Sequence, residues 1–229
     1  MGGRGGLLRR LDVIVIGASA GGVPALLEIV RGLPNDLPAS VFIVLHMTPM
    51  ARSYLPDLLS RAGVLPATTA GDPVRFQPGR IYVAPPDHHL LLSEKAVWAE
   101  RGPLENRHRP AIDVLFRSAA RALGSRVIGI VLTGILNDGT AGLAAIKEAG
   151  GMAMVQDPRE ASFPGMPLNA LRNVPVDYTL PLAAIPETLM RLLPRPPGRR
   201  SSHTSRMGRR KPGSRAHRRP RTVKARPSR

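Results

Sequence analysis

The sequence predicts an α/β protein built on a doubly wound, mostly parallel sheet with helices on both faces. Three observations carry that expectation. Short apolar, β-branched runs recur at 13–16, 41–45, 81–84, 127–132 and 152–156, with a weaker one at 178–180. Segments of helical spacing fall between them, and strand alternating with helix is the pattern of a parallel sheet. The chain has only one Trp, three Tyr and four Phe, so its core must be mainly aliphatic, as strands buried on both faces require.

Each element has its own justification. Val13-Ile14-Val15-Ile16 is a buried strand that Gly17 ends at once. A helix over about 23–30 follows, opened by Pro24 and broken by Leu33-Pro34-Asn35. After the second strand, 54–62 places Leu55, Leu58 and Leu59 in a helical stripe. The stretch 88–98 alternates poorly, and Glu94-Lys95 reads as the tip of a small β-hairpin excursion. Residues 111–123 are strongly amphipathic, with Ile112, Leu115, Phe116 and Ala119 on one side. A last helix over 142–149 is ended by Gly150-Gly151. No internal repeat is present.

Charge divides the chain. From Arg195 onward there are 14 of the 33 Lys and Arg and none of the 16 acidic residues, so residues 1–194 carry about +3 of the +17. The end segment has almost no large apolar residue and is expected to be disordered, because it cannot bury enough surface to offset chain entropy. The predicted organisation is an N-terminal arm (1–11), one domain (12–193) and a basic tail (194–229) whose charge suits nucleic acid or an anionic membrane. Cysteine is absent, which excludes disulfides, thiolate metal sites and cysteine nucleophiles and fits a cytoplasmic location. Arg4, Arg9 and Arg10 precede an apolar run, but Asp12 interrupts it and it is too short for a secretory core segment. Gly6 stands where myristoylation wants Ser or Thr, and no stretch approaches a membrane span.

In doubly wound folds, functional groups gather just beyond the carboxyl ends of the strands. Here the first strand runs into Gly17-Ala18-Ser19-Ala20-Gly21, the second into His46, and the fourth into Thr133-Gly134-Ile135-Leu136-Asn137-Asp138-Gly139. The G-x-S-x-G spacing puts Ser19 on a sharp strand-to-helix turn with its hydroxyl exposed. A serine needs a base, which His46 supplies, and a carboxylate on the far imidazole nitrogen, Asp138, fixes the tautomer. The backbone N–H near Ala20 is placed to receive an oxyanion. Blander readings stand beside this one. Glycine-rich turns also cradle phosphates or serve structure alone. A lone His after a strand is often structural, and Asn137-Asp138-Gly139 is an ordinary turn sequence. His88 and His89 compete for the role of base but more naturally flank the pocket, and 106–110 reads as an exposed charged loop.

Taken in order, these segments resemble the catalytic domain of the bacterial chemotaxis protein-glutamate methylesterases (CheB type). The resemblance runs from about Val13 to Pro181. It is carried by Val-Ile-Gly-Ala-Ser-Ala-Gly-Gly at 15–22, Leu-His-Met at 45–47 and Gly-Arg-Ile-Tyr-Val-Ala-Pro-Pro-Asp-His-His at 79–89. Asn106-Arg107-His108-Arg109-Pro110, Asp113-Val114-Leu115-Phe116, Leu132-Thr133-Gly134, Asn137-Asp138-Gly139 and Gly165-Met166-Pro167 complete it. It implies hydrolysis of glutamyl methyl esters on the cytoplasmic helices of methylated chemoreceptors, and deamidation of certain receptor glutamines, with no cofactor and no metal. Ser19, His46 and Asp138 match the family's nucleophile, base and carboxylate. The backbone N–H of Ile135 joins that of Ala20 in the implied oxyanion hole. Arg107, Arg109 and Met166 are expected on the substrate side of the cleft, the arginines meeting an acidic receptor helix.

This chain departs from the family pattern in three places. Ala20 stands where Thr is common, and Ile135-Leu136 where Met-Gly is common. Leu136 is expected to narrow the pocket or to resist a positive φ. The first strand begins at about residue 12, so the expectation is a stand-alone catalytic domain without the amino-terminal receiver domain. The competing expectation is a catalytically weak module on the same fold that binds receptors or nucleic acid.

Overall fold

β-Branched runs become strands and the amphipathic segments become helices, alternating except over residues 67–100, where five strands follow one another. The structure, a computed structural model, describes residues 11–48, 50 and 53–194. The basic segment, with its expected disorder and anionic partner, and residues 1–10 of the arm lie outside the described residues. In chain order the elements are β1 (Val13–Ala18), α1 (Gly22–Arg31), β2 (Ser40–Leu45), α2 (Leu55–Ala62), β3 (Ala67–Thr69), β4 (Val74–Arg75), β5 (Ile81–Val83), β6 (His89–Leu92), β7 (Ala96–Glu100) and α3 (Ile112–Leu123). Then follow β8 (Val127–Val131), α4 (Thr140–Glu148), β9 (Met152–Gln156), α5 (Gly165–Asn173), β10 (Tyr178–Leu180) and α6 (Ile185–Leu192).

Seven strands form one sheet in the order β10-β9-β8-β1-β2-β5-β3, and every pairing in it is parallel. β1 is therefore central. Its residues alternate between two apolar layers. Ile14, Ile16 and Ala18 pack with Leu26 and Ile29 of α1, Leu59 of α2 and Leu189 of α6. Val13 and Val15 face the opposite layer, where Phe116 of α3, Ile146 of α4 and Ala170 of α5 lie. Two-sided burial explains why these strands read as continuous apolar runs rather than alternating ones.

Register positions the functional end. Gly17 pairs with Val44 of β2 on one side and with Val131 of β8 on the other. The carboxyl ends of the three central strands are thus level, and the loops leaving them begin side by side. The hairpin excursion is real: β6 and β7 pair antiparallel with Leu92 opposite Val97, and β4 joins them in a separate three-stranded sheet.

Four elements lie outside the sequence reading. β3 and β4 are short, exposed and without an apolar run. In α5 and α6, Pro167 and Pro186 sit in the first turn, where the missing N–H costs no helical bond.

Candidate active site

Ser19 follows β1 directly. The turn that holds it is closed by Gly22 N–H donating to the Ser19 carbonyl at 2.8 Å, while Ser19 N–H reaches the Thr133 carbonyl at 3.0 Å. Gly21 caps α1 with φ 74°, a left-handed conformation that a side chain would strain. His46 follows β2 one residue past the register partner of Ala18, and its N–H donates to the Ala18 carbonyl at 3.1 Å. The level strand ends therefore bring the hydroxyl and the imidazole together without a long loop.

The side chains close the arrangement. His46 Nδ1 stands 3.1 Å from Ser19 Oγ, and His46 Nε2 stands 2.7 Å from Asp138 Oδ2. With the proton on Nε2 donated to Asp138, the Nδ1 lone pair faces the hydroxyl and accepts from it. The serine hydroxyl faces Nδ1, the ring nitrogen nearer the backbone. Both partners are sealed: the His46 side chain is 6% exposed and that of Asp138 2%.

Asp138 is fixed by more than the imidazole. Its Oδ2 also accepts the Ile112 N–H at 2.7 Å, and its Oδ1 accepts the N–H of Asp113 and of Gly139, both at 3.1 Å. The carboxylate therefore caps the amino end of α3, taking up N–H groups that have no partner within the helix. Burial pushes its pKa up, but hydrogen bonds from His46, the Ile112 N–H and Asn106 overcome that and hold it at about 2. Asp138 is thus held as an anion against the His46 imidazole near neutral pH. Asp113, in the first turn of α3, shows the opposite balance. Burial first, then the charge of Asp138, raise it to about 6, against the bonds from Gly142 N–H and Asn106.

The loop after β8 builds the other wall. Thr133 Oγ donates to the Ala20 carbonyl at 3.0 Å and accepts the Phe163 N–H at 2.9 Å, tying the serine turn to the segment before α5. A Cβ on Gly134 would stand 2.8 Å from Ser19 Cβ and 2.1 Å from the Met166 sulfur, so only glycine lets the loop approach the serine. Among the described residues, the N–H groups of Ala20 and Ile135 have no hydrogen-bond acceptor. Both remain available for an oxyanion. Leu136 sits at φ 64° with its side chain 57% exposed, so the positive φ expected at this glycine position is imposed on a leucine. The side chain is exposed, as are those of Ile135 and Phe163.

Not every expected site residue faces the cleft. Met166 is fully buried beneath Gly134; it supports the wall and does not line the surface. Arg109 donates to Asp87 at 2.8 Å and to the Gly102 carbonyl, so its guanidinium is spent on tying its loop to the one between β5 and β6. Arg107 is exposed at φ 65°. His88 Nδ1 is bonded to the Pro86 carbonyl at 2.9 Å. His89 Nε2 donates to the Pro103 carbonyl at 2.7 Å, and its Nδ1 accepts the Ala111 N–H at 3.2 Å. Neither histidine competes with His46. Segment 106–110 is not merely a charged loop: Asn106 bonds both Asp113 and Asp138, each at 2.8 Å, and the His108 ring lies on that of His46. Residue-by-residue reasoning missed these contacts, because only the fold brings α3 and its approach loop over β1. Among the described residues no group of three or more His, Asp or Glu is placed to hold a metal ion, and no helix is long and apolar enough to cross a membrane.

Known proteins share this arrangement of sequence and fold. A protein-glutamate methylesterase/protein-glutamine glutaminase of Anaeromyxobacter dehalogenans is 41% identical over 184 residues, covering 79% of this chain and 51% of that protein. The chain thus spans about half the length of that relative. A protein of Leptospira interrogans, provisionally named for the same two activities, is 37% identical over 182 residues and is covered to 94% of its length. The crystal structure of the Thermotoga maritima CheB methylesterase catalytic domain superposes with a TM-score of 0.76 at 33% identity, covering 80% of this chain and 98% of that one. The family model described as CheB methylesterase matches residues 14–189, a span that holds the serine turn, both of its partners and all seven strands of the parallel sheet but for one residue of β1, and with it the chain belongs to the CheB methylesterase family.

Proposed function

We propose that this protein hydrolyses glutamyl methyl esters on chemoreceptor helices, releasing methanol, and that the same site deamidates receptor glutamines. The observation that carries this reading is the continuous chain from Ser19 Oγ through both nitrogens of His46 to Asp138, at 3.1 and 2.7 Å. Ser19 Oγ attacks the ester carbonyl while His46 Nδ1 takes its proton. The imidazolium is stabilised through Nε2–H by the Asp138 anion. The carbonyl oxygen, now negative, sits between the free N–H groups of Ala20 and Ile135. As the tetrahedral intermediate collapses, Nδ1–H protonates the departing methoxide. Water then attacks the acyl-enzyme with His46 again as base, and the glutamate carboxylate leaves. With a glutamine substrate the first product is ammonia instead of methanol. Exposed Arg107 and the apolar rim of Ile135, Leu136 and Phe163 suit an acidic helix with an apolar stripe.

The test is methanol release from methylated receptor membranes. Ser19→Ala is expected to reduce it by about 10³-fold or more without altering the far-ultraviolet circular dichroism. Full activity in that variant would remove Ser19 as the nucleophile. The basic segment from Arg195, with 14 cationic residues and no acidic one, supports a second contact with an anionic surface such as nucleic acid or membrane. Binding that is unchanged and insensitive to salt after deletion of 195–229 would discard that contact.

A further inference from the structure

A two-residue hairpin turn stands over the triad, and no step above uses it. Glu105 and His108 exchange backbone hydrogen bonds of 3.1 and 2.8 Å, with Asn106 at φ 49° and Arg107 at φ 65° between them. Two consecutive positive φ values are the signature of a type I′ turn. Asn tolerates that region, whereas Arg does not favour it. Arg117 of α3 anchors the turn by donating to Glu105 at 2.6 Å. The turn is therefore a built, tied-down feature.

Two of its side chains reach the partners of Ser19. The His108 ring lies on the His46 ring with centroids 3.6 Å apart and planes inclined by 12°. The Asn106 carboxamide donates at 2.8 Å to both Asp138 Oδ1 and Asp113 Oδ2. These contacts do what the triad bonds do not. Hydrogen bonds at Nδ1 and Nε2 fix the two edges of the imidazole but only weakly resist tilting about the line between them; a flat ring on one face does. Burial, together with the positive charge His46 takes up, lowers the pKa of His108 against the pull of Asp138, which keeps its face neutral. Asn106, for its part, places a donor between two buried carboxylates 25 residues apart in sequence that would otherwise face each other across the site.

Resting on the triad reading given above, we infer that His108 and Asn106 are positioning residues. His108 holds and covers the catalytic imidazole by its ring face, and Asn106 holds the Asp138 carboxylate against Asp113.

The test uses the full chain and two readouts: the rate at which a fluorophosphonate probe labels Ser19, and kcat and KM for methanol release from receptor membranes. His108→Ala is expected to slow labelling and kcat by about tenfold to a hundredfold with KM unchanged, and His108→Phe, which keeps a flat ring, to restore most of the rate. Asn106→Ala is expected to slow labelling likewise. Labelling of His108→Ala at the wild-type rate overturns the inference. So does a His108→Phe variant as slow as His108→Ala, since that would mean an imidazole nitrogen acts there. Melting curves accompany each variant. Should His108→Ala unfold, His108→Leu replaces it, and equal rates for Leu and Phe overturn the role of the ring face. A wild-type chain that labels quickly but releases no methanol would refute the substrate assignment and leave the positioning effect measurable. Absence of labelling in the wild type would overturn both.

Discussion

Ser19 and His46 lie one residue past a strand end and Asp138 seven residues past another, and each depends on its backbone for its chemistry. The clearest case of a residue working against its backbone is Leu136. At φ 64° and 57% exposed, it carries the left-handed conformation without compensating burial. Holding a non-glycine residue there costs about 1–2 kcal/mol, partly offset by the greater unfolded-state freedom of glycine. Leu136→Gly is therefore expected to stabilise the protein by about 1 kcal/mol, a rise of roughly 2–4 °C in melting temperature for a domain of this size. A lower melting temperature would show that the leucine side chain makes a contact worth more than the strain. Asp138→Asn poses a different question at the same scale. It keeps the shape but removes the anion that fixes the His46 tautomer, so kcat is expected to fall by about 10⁴-fold, measured as methanol release.

At the scale of elements, α3 is the organising piece. Its amino end is capped by Asp138, its first turn carries Asp113, and Asn106 on its approach bonds both. Two carboxyl groups with opposite displacements make the stability of this helix start depend on pH in two windows. Asp138, lowered from 3.8 to about 2, contributes stability that is present above about pH 4 and lost as pH falls toward 2. Asp113, raised from 3.8 to about 6, binds its proton more tightly folded than unfolded. Its contribution is present below about pH 4 and lost as pH rises through 6. Asp113→Asn should abolish the second dependence. Relative to wild type, the variant is expected to gain stability between pH 5 and pH 8, read as the change in urea midpoint at the two pH values. An identical pH dependence in both proteins would show that Asp113 is ionised throughout.

On the scale of the whole molecule, the site depends on a sheet buried from both sides. Phe116 of α3 lies in the layer opposite α1, and a Cβ on Gly142 of α4 would stand 2.5 Å from its own Cβ, so the two helices meet tightly at this ring. Phe116→Ala is expected to cost about 3–5 kcal/mol, measured by urea unfolding. Because α3 carries the N–H groups that fix Asp138, the folded fraction of that variant should also lose kcat more than KM.

Strand runs with β-branched residues, helical stripes and the residues following each strand determined the fold class and singled out Ser19, His46 and Asp138 as groups at strand ends; the central place of the first strand came from the sheet order. The sequence features are local: the period of apolar residues and the place of glycine are visible one segment at a time. Only the tertiary structure decided which of the remaining polar residues belong to the site. His108 and Asn106 lie far from Ser19 in sequence, and Arg109 and Met166 bear side chains suited to a cleft yet are held by Asp87 and by the core. Their roles follow from the level register of β1, β2 and β8 and from the seating of α3 across it, and contacts between distant segments leave no period in the sequence that forms them.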